Sequence, residues 1–140
     1  MMSQKQHKID LAYIQMAKIW SGLSTAFRKK VGALIVKNNT IISDGFNGTP
    51  KGFPNDCEDA NGDTHWYVLH AEANAMLKVA RSTQNTEGST LYVTYSPCKD
   101  CSKMIIQAGI KRVIYKEEYR DISGVKILRE AGIEVIHLDI

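Results

Sequence analysis

Four residues in two short segments could share one piece of chemistry. His70-Ala71-Glu72 offers an imidazole and, two positions on, a carboxylate. Pro97-Cys98-Lys99-Asp100-Cys101 begins 25 residues after Glu72 and offers two thiols. An imidazole and two thiolates are three zinc-type ligands, and they leave the fourth corner of a tetrahedral ion open to water, as in catalytic sites. Such an ion lowers the pKa of its water from about 15.7 towards roughly 7. Glu72, which is not a ligand, can take that proton, protonate a ring nitrogen and later protonate leaving ammonia. His-x-Glu followed by Pro-Cys-x-x-Cys is the pattern of hydrolytic deamination at a nucleobase ring. Positions 70 and 72 do not share a helix face, yet near a helix start both side chains reach one pocket. Backbone N–H groups near Ala71 and Cys98 are candidates to stabilise developing charge.

Each segment alone is ambiguous. His-Ala-Glu in an alanine-rich stretch is ordinary helix sequence, and Cys-x-x-Cys also suits a redox dithiol. A thioredoxin-like site would follow the first strand of a βαβ unit and give His70 no role. A structural zinc needs a fourth ligand, for which Cys57, His65 and His137 are available. In that reading the chain is a zinc-stabilised binding protein and Glu72 does nothing. The joint pattern favours the catalytic metal.

The elements that must position these residues follow from periodicity and punctuation. Cys98 to Ala108 fits a helix, with Pro97 ahead and Gly109 behind. Its first turn puts both sulfurs on one side, where unpaired N–H groups and the dipole favour thiolates. His70 to Arg81 fits a second helix, with alanines at 71, 73, 75 and 80 that allow close packing on a sheet. Ile9 to Ser21 reads as a helix ended or interrupted by Gly22. Val31 to Val36 and Ile41 to Phe46 read as strands joined by a Lys37-Asn38-Asn39-Thr40 turn, an antiparallel hairpin. Thr90–Tyr95, Val113–Tyr115 and Ile133–Leu138 read as strands, and Ile122–Ala131 as a helix closed by Gly132. Strands joined through helices imply parallel pairing. The expectation is an α/β fold, a three-layer α/β/α sandwich with a five-stranded mixed sheet. Asn47 to Trp66 has no periodicity and reads as one long functional loop. Residues 1–140 read as one domain, with 1–8 expected to be flexible.

Composition narrows the class. Charged residues number 18 basic and 15 acidic, a net charge of +3. The basic groups, Arg28-Lys29-Lys30 and Lys111-Arg112, are short and lack the interleaved aromatics of a polynucleotide surface. A small anionic substrate needs only one or two such charges. No apolar run has membrane-spanning length, and the polar start lacks the h-region of a secretory signal. Three cysteines, two of them three positions apart, suggest metal or redox use in a reducing cytoplasm rather than a disulfide framework.

At these residues the chain resembles the cytidine/deoxycytidylate deaminase superfamily, and within it the deoxycytidylate (dCMP) branch. The resemblance rests on Val31-Gly32-Ala33, Gly45-Phe46-Asn47-Gly48-Thr49-Pro50, His70-Ala71-Glu72-Ala73-Asn74-Ala75, Ser96-Pro97-Cys98-Lys99-Asp100-Cys101, and Ile105 to Tyr115. It spans about residues 9–139. It implies a cytidine-deaminase-like fold and hydrolysis of dCMP to dUMP and ammonia, with Zn2+ on His70, Cys98 and Cys101 and Glu72 as proton shuttle. It also implies that Asn47 bonds the sugar 3′-hydroxyl, although Asn47-Gly48 is also a plain turn former. Ser24 and Arg28 would contact the phosphate, with Tyr119 closing the pocket and Lys51 a lesser candidate. Arginine suits phosphate because its guanidinium makes two parallel bonds. Ser24 and Arg28 share a side only if helix continues past Gly22. Phe46 stands where many relatives carry tyrosine. The resemblance further suggests a homo-oligomer, a hexamer above all, with dCTP and dTTP as effectors and Mg2+ beside the regulatory nucleotide. Some relatives hold a second, structural zinc, for which Cys57 and His65 are available. A tRNA adenosine deaminase or a free (deoxy)cytidine deaminase remains the alternative.

Overall fold

Alternation along the strands decides how this chain layers. The elements of the computed structural model are α1 Gln4–Ser21, β1 Gly32–Lys37, β2 Thr40–Phe46, α2 Ala71–Ala80, β3 Thr90–Tyr95, α3 Lys99–Gln107, β4 Arg112–Glu117, α4 Ser123–Glu130 and β5 Glu134–His137. Ala33, Ile35, Leu91, Val93, Val113 and Tyr115 face Ala71, Ala75, Val79, Ile105, Val125 and Leu128. The intervening residues Leu34, Val36, Tyr92 and Ile114 face Ile14 and Ala17. Successive strand side chains point to opposite faces, so α1 covers one face and α2, α3 and α4 the other. This is the expected three-layer α/β/α sandwich. The structure describes residues 3–138; expectations for Met1, Met2, Asp139 and Ile140 lie outside the described residues.

The five-stranded sheet has the order β2-β1-β3-β4-β5. β1 pairs antiparallel with both β2 and β3, whereas β3–β4 and β4–β5 are parallel. The β2–α2–β3 connection therefore joins two strands of the same direction that are not neighbours, because β1 lies between them. The β1–β2 hairpin turns through Asn38 and Asn39, both at positive φ (52° and 58°). That pair of left-handed residues is what a two-residue turn needs, and asparagine tolerates it best after glycine.

One boundary differs from expectation. α1 begins at Gln4, within the segment expected to be flexible. Ser3 is its N-cap and accepts the Gln6 N–H at 3.0 Å, a cap that stabilises a first turn with no apolar periodicity. α1 then ends at Ser21, with the Gly22 N–H on the Ile19 carbonyl. Residues 22–30 are irregular, so Ser24 and Arg28 do not share a helix face.

One ion pair ties α1 to the sheet. The Arg112 guanidinium forks onto Asp10, with Nη1 to Oδ1 at 3.2 Å and Nη2 to Oδ2 at 2.9 Å. Tyr92 and Gln6 also donate to Oδ1. Asp10 is fully buried. Burial alone would raise its pKa, but the bonds from Arg112 and Tyr92 outweigh that and hold the carboxyl below its ordinary 3.8. The carboxylate is thus favoured more in the folded chain than in the unfolded one. Its contribution is complete above the unfolded pKa and is lost as pH falls through the lower folded value. Asp10→Asn is expected to cost about 3 kcal/mol, the low end for breaking a buried pair because Glu134 remains beside Arg112. Urea unfolding should show the full gap from pH 7 down to about 4, and a shrinking gap below that. A gap that is already shrinking at pH 6 would contradict this assignment.

Candidate active site

The two ligand-bearing helices start at the same edge of the sheet. α2 lies tightly on β2: a Cβ on Gly45 would come 2.5 Å from the Ala71 carbonyl oxygen, so only glycine allows this approach. Ser43 donates to the Ala75 carbonyl at 2.7 Å, Asn74 donates to the Phe46 carbonyl at 2.9 Å, and Lys78 pairs with Asp44. These contacts set where His70, the N-cap of α2, stands. α3 follows β3 directly. Cys98 is its N-cap, and the Cys98 sulfur accepts the Cys101 N–H at 3.5 Å.

His70 Nδ1 lies 3.5 Å from Cys98 Sγ and 3.3 Å from Cys101 Sγ. The three donor atoms all fall within 4.8 Å of one another. Tetrahedral zinc with bonds of about 2.0–2.3 Å holds its donors roughly 3.5 Å apart, so the set fits one ion. The protonation balance points the same way. Hydrogen bonds from Cys101 and His70 bring Cys98 down to about 4. Cys101, beside that sulfur and buried, is pushed up instead, and His70 is raised by its bond to Cys98. Two sulfurs this close cannot both ionise unless a cation sits between them. Among the described residues no other group of three or more His, Cys, Asp or Glu is placed to hold a metal. Cys57 is buried against Thr25, and His65 lies flat on the Tyr67 ring with centroids 4.7 Å apart. His137 donates to the Lys116 carbonyl and stacks on Tyr115. The fourth-ligand candidates are thus otherwise engaged. The His70 ring is exposed, and no protein partner of Nε2 is found among the described residues, contrary to the usual second bond of a ligating histidine.

Glu72 sits in the first turn of α2, only 4% exposed. Burial raises its carboxyl to about 7, opposed by its own N–H and by His70. It opens onto a cavity of about 510 Å³, also lined by His70, Ala71, Cys98, Asn47, Arg28 and Tyr119. Six of the sequence-derived site residues therefore share that wall with Glu72. Asn47 is held by both amide atoms: Oδ1 accepts the Val31 N–H at 2.9 Å and Nδ2 donates to the Lys29 carbonyl at 2.7 Å. Each atom retains capacity for one more bond. Tyr119 stacks on Tyr95 with centroids 5.1 Å apart.

Besides Cys101, which belongs to the donor triangle, and the lesser candidate Lys51, Ser24 stands apart. It does not line the cavity, is 3% exposed, and donates to the Asn47 carbonyl at 2.8 Å while accepting the Ala26 N–H. Its hydroxyl is engaged with the loop backbone at Asn47 and Ala26. Sequence reasoning passed over Lys29, Tyr95, Arg120 and Glu58, all on the cavity wall. Lys29 Nζ sits 4.0 Å over the Tyr119 ring. The Glu58 carboxylate accepts the N–H groups of Phe27 and Arg28 at 3.0–3.1 Å. The Arg28-Lys29-Lys30 cluster was visible in the sequence; the Glu58 clasp spans 30 residues and had no local signal.

Residues 6–117 match the cytidine and deoxycytidylate deaminase zinc-binding region. The chain belongs to that family. It is 38% identical to the deoxycytidylate deaminase of Enterobacteria phage T4, covering 89% of this chain and 87% of the relative. It is 35% identical to the deoxycytidylate deaminase of Saccharomyces cerevisiae, covering 90% of this chain and 43% of that longer protein. The dCMP deaminase of cyanophage S-TIM5, crystallised with dCMP and dUMP, superposes with a TM-score of 0.92 at 47% identity over 99% of this chain and 100% of that one. The cytidine-deaminase-like fold inferred from the motifs is the fold observed.

For a deaminase of this family the three donors should carry one zinc per chain. Elemental analysis of purified protein is expected to find it, to find it largely lost in Cys101→Ala, and to find it retained in Glu72→Gln. Equal loss in both variants would make Glu72 a ligand and close the open corner.

Proposed function

We propose that this chain hydrolyses dCMP to dUMP and ammonia, with Glu72 carrying the protons. The observation that carries the reading is the triangle of His70, Cys98 and Cys101 beside a buried carboxylate, with His70, Cys98 and Glu72 on the wall of a cavity that Arg28, Lys29 and Arg120 also line. The dCMP- and dUMP-bound relative supports the choice of substrate. His70, Cys98 and Cys101 would hold the zinc, which supplies Lewis acidity that makes water nucleophilic near neutral pH.

The chain's own residues do the rest. Glu72 takes a proton from the attacking water and delivers it to the ring nitrogen next to the reacting carbon. A second proton passes by the same carboxylate to the departing amine, so the water oxygen ends on the ring and nitrogen leaves as ammonia. The first-turn N–H groups at Ala71 face the cavity and favour negative charge on the ring edge. Asn47 offers a donor and an acceptor to the sugar hydroxyl, Arg28 meets the 5′-phosphate, and Tyr119 covers the base. Ser24 acts only through Asn47.

Other parts of the proposal rest on the resemblance alone: assembly as a hexamer, and dCTP and dTTP as effectors with Mg2+; a cytoplasmic location rests on the cysteine usage. Among the described residues, no helix is long and apolar enough to cross a membrane. Residues 1–140 are taken as a single catalytic domain.

Two measurements test the chemistry. Glu72→Gln keeps shape but cannot shuttle a proton, and kcat should fall about 10²–10⁴-fold with zinc content unchanged. Turnover within threefold of the parent would remove Glu72 from the proton path. Offered dCMP, CMP, deoxycytidine and an adenosine-containing tRNA stem-loop, the protein should prefer dCMP. Arg28→Ala should lower kcat/KM for dCMP by about 1.5–3 kcal/mol, roughly tenfold to a hundredfold, and leave deoxycytidine unaffected. Preference for deoxycytidine, or action on the RNA alone, would overturn the substrate.

A further inference from the structure

The start of α4 lies against the backbone that carries Cys98. A Cβ placed on Gly124 would stand 2.2 Å from the Pro97 carbonyl oxygen, 2.7 Å from the Cys98 carbonyl carbon and 2.8 Å from its oxygen, whereas ordinary contact begins at 3.4 Å. All three are backbone atoms, so no rotamer change relieves the clash. Gly124 is buried and its φ is not in the left-handed region. Glycine is unfavourable inside a helix relative to alanine, so the close approach, not backbone freedom, accounts for it here.

The rest of the segment is tied to the same strand end. Ser96 donates its N–H to the Glu117 carbonyl at 2.8 Å, and its Oγ accepts the Tyr119 N–H at 2.9 Å. Asp121 Oδ1 then accepts the Ser123 N–H at 2.9 Å and fixes where α4 begins. Residues 96–98 are therefore docked onto 117–124 at three successive points.

Cys98 needs outside support more than its partner does. Cys101 is buried within the first turn of α3, whereas Cys98 is the half-buried N-cap with extended backbone (φ −75°, ψ 172°). α3 holds Cys98 from one side, the carbonyl accepting the Ser102 N–H at 2.9 Å and the sulfur the Cys101 N–H; the Pro97 side of the residue is held by α4.

We infer that Gly124 is a positioning residue for the metal centre: through bare backbone contact, the α4 start sets where the Cys98 sulfur stands relative to His70 and Cys101. This rests on reading those three side chains as one zinc site. Any side chain at 124 pushes the Pro97–Cys98 peptide outward and opens the donor triangle.

The test uses metal-free protein titrated with zinc against a chromophoric chelator, and with cobalt(II), whose visible bands report donor geometry. Folded Gly124→Ala should bind zinc about tenfold or more weakly, as loss of outer support does at other metal sites, with shifted cobalt bands. Asp10→Asn, destabilised on the opposite face of the sheet, should keep the parent's affinity and bands. Parental affinity and bands in Gly124→Ala would overturn the inference, as would equal losses in Asp10→Asn. Should Gly124→Ala not fold, Asp121→Ala decides, because it loosens the α4 start without adding an atom: shifted bands support the inference and unshifted bands overturn it. A parent chain that binds neither metal would instead overturn the zinc reading itself.

Discussion

The site depends on β2 and β3 pointing the same way. β1 runs antiparallel to both, so their C-terminal ends share one sheet edge even though they never touch. α3 leaves β3 at that edge, and α2 begins there after the chain has returned through the long loop. Two helix N-termini thus meet, each with unpaired N–H groups and partial positive charge. Donors 28 and 31 residues apart in sequence come to rest 3.5 and 3.3 Å from one imidazole nitrogen. A parallel β1–β3 pair would have sent α2 and α3 to opposite edges, and the same residues would have had no shared chemistry.

That convergence concentrates charge the protein alone does not balance. Cys98 is stabilised as a thiolate, Cys101 is pushed the other way by its neighbour, and burial holds the Glu72 carboxyl near 7. A divalent cation relieves all three at once. Arg28, Lys29 and Arg120 line the same cavity, beside Glu58 and Asp121. Lys29 over the Tyr119 ring also shows that a cation there need not be spent on an acidic partner within the chain.

The parts of this arrangement that obey a period or a punctuation mark were legible in the sequence. α2 and α3 lie within a residue or two of their expected ends because Pro97, Gly109 and the run of alanines mark them. The hairpin was legible in Asn38-Asn39, and the metal ligands in their spacing. The first turn of α1 was not, because Ser3 capping Gln6 is a polar signal with no apolar stripe behind it. Ser24 and Arg28 would have shared a side only had helix continued past Gly22, whereas the Gly22 N–H closes it on Ile19. Gly124 was invisible as well, since the meaning of a missing Cβ lies in a carbonyl 27 residues away. The segment after Phe46 looked structureless. It is in fact pinned by the Gly48–Leu69 and Glu58–Thr64 bridges and by the Asp59 turn, none of which leaves a periodic trace.

Asn47 shows why those loops behave as one body. Its amide holds the backbone of residues 29 and 31, its own N–H reaches the Val31 carbonyl, and its carbonyl takes the Ser24 hydroxyl. The Glu58 carboxylate adds a second tie, onto the N–H groups of Phe27 and Arg28. Asn47 is therefore bonded to the same short segment that carries Arg28. Neither residue can shift without dragging the other, and both are tied to the start of α2 through Gly48, which exchanges backbone bonds with Leu69, next to His70, at 3.1 and 2.8 Å. The loops that carry Asn47 and Arg28 and the helix start that carries His70 are consequently braced against one another, the first by side-chain bonds between loops and the second by packing against the sheet.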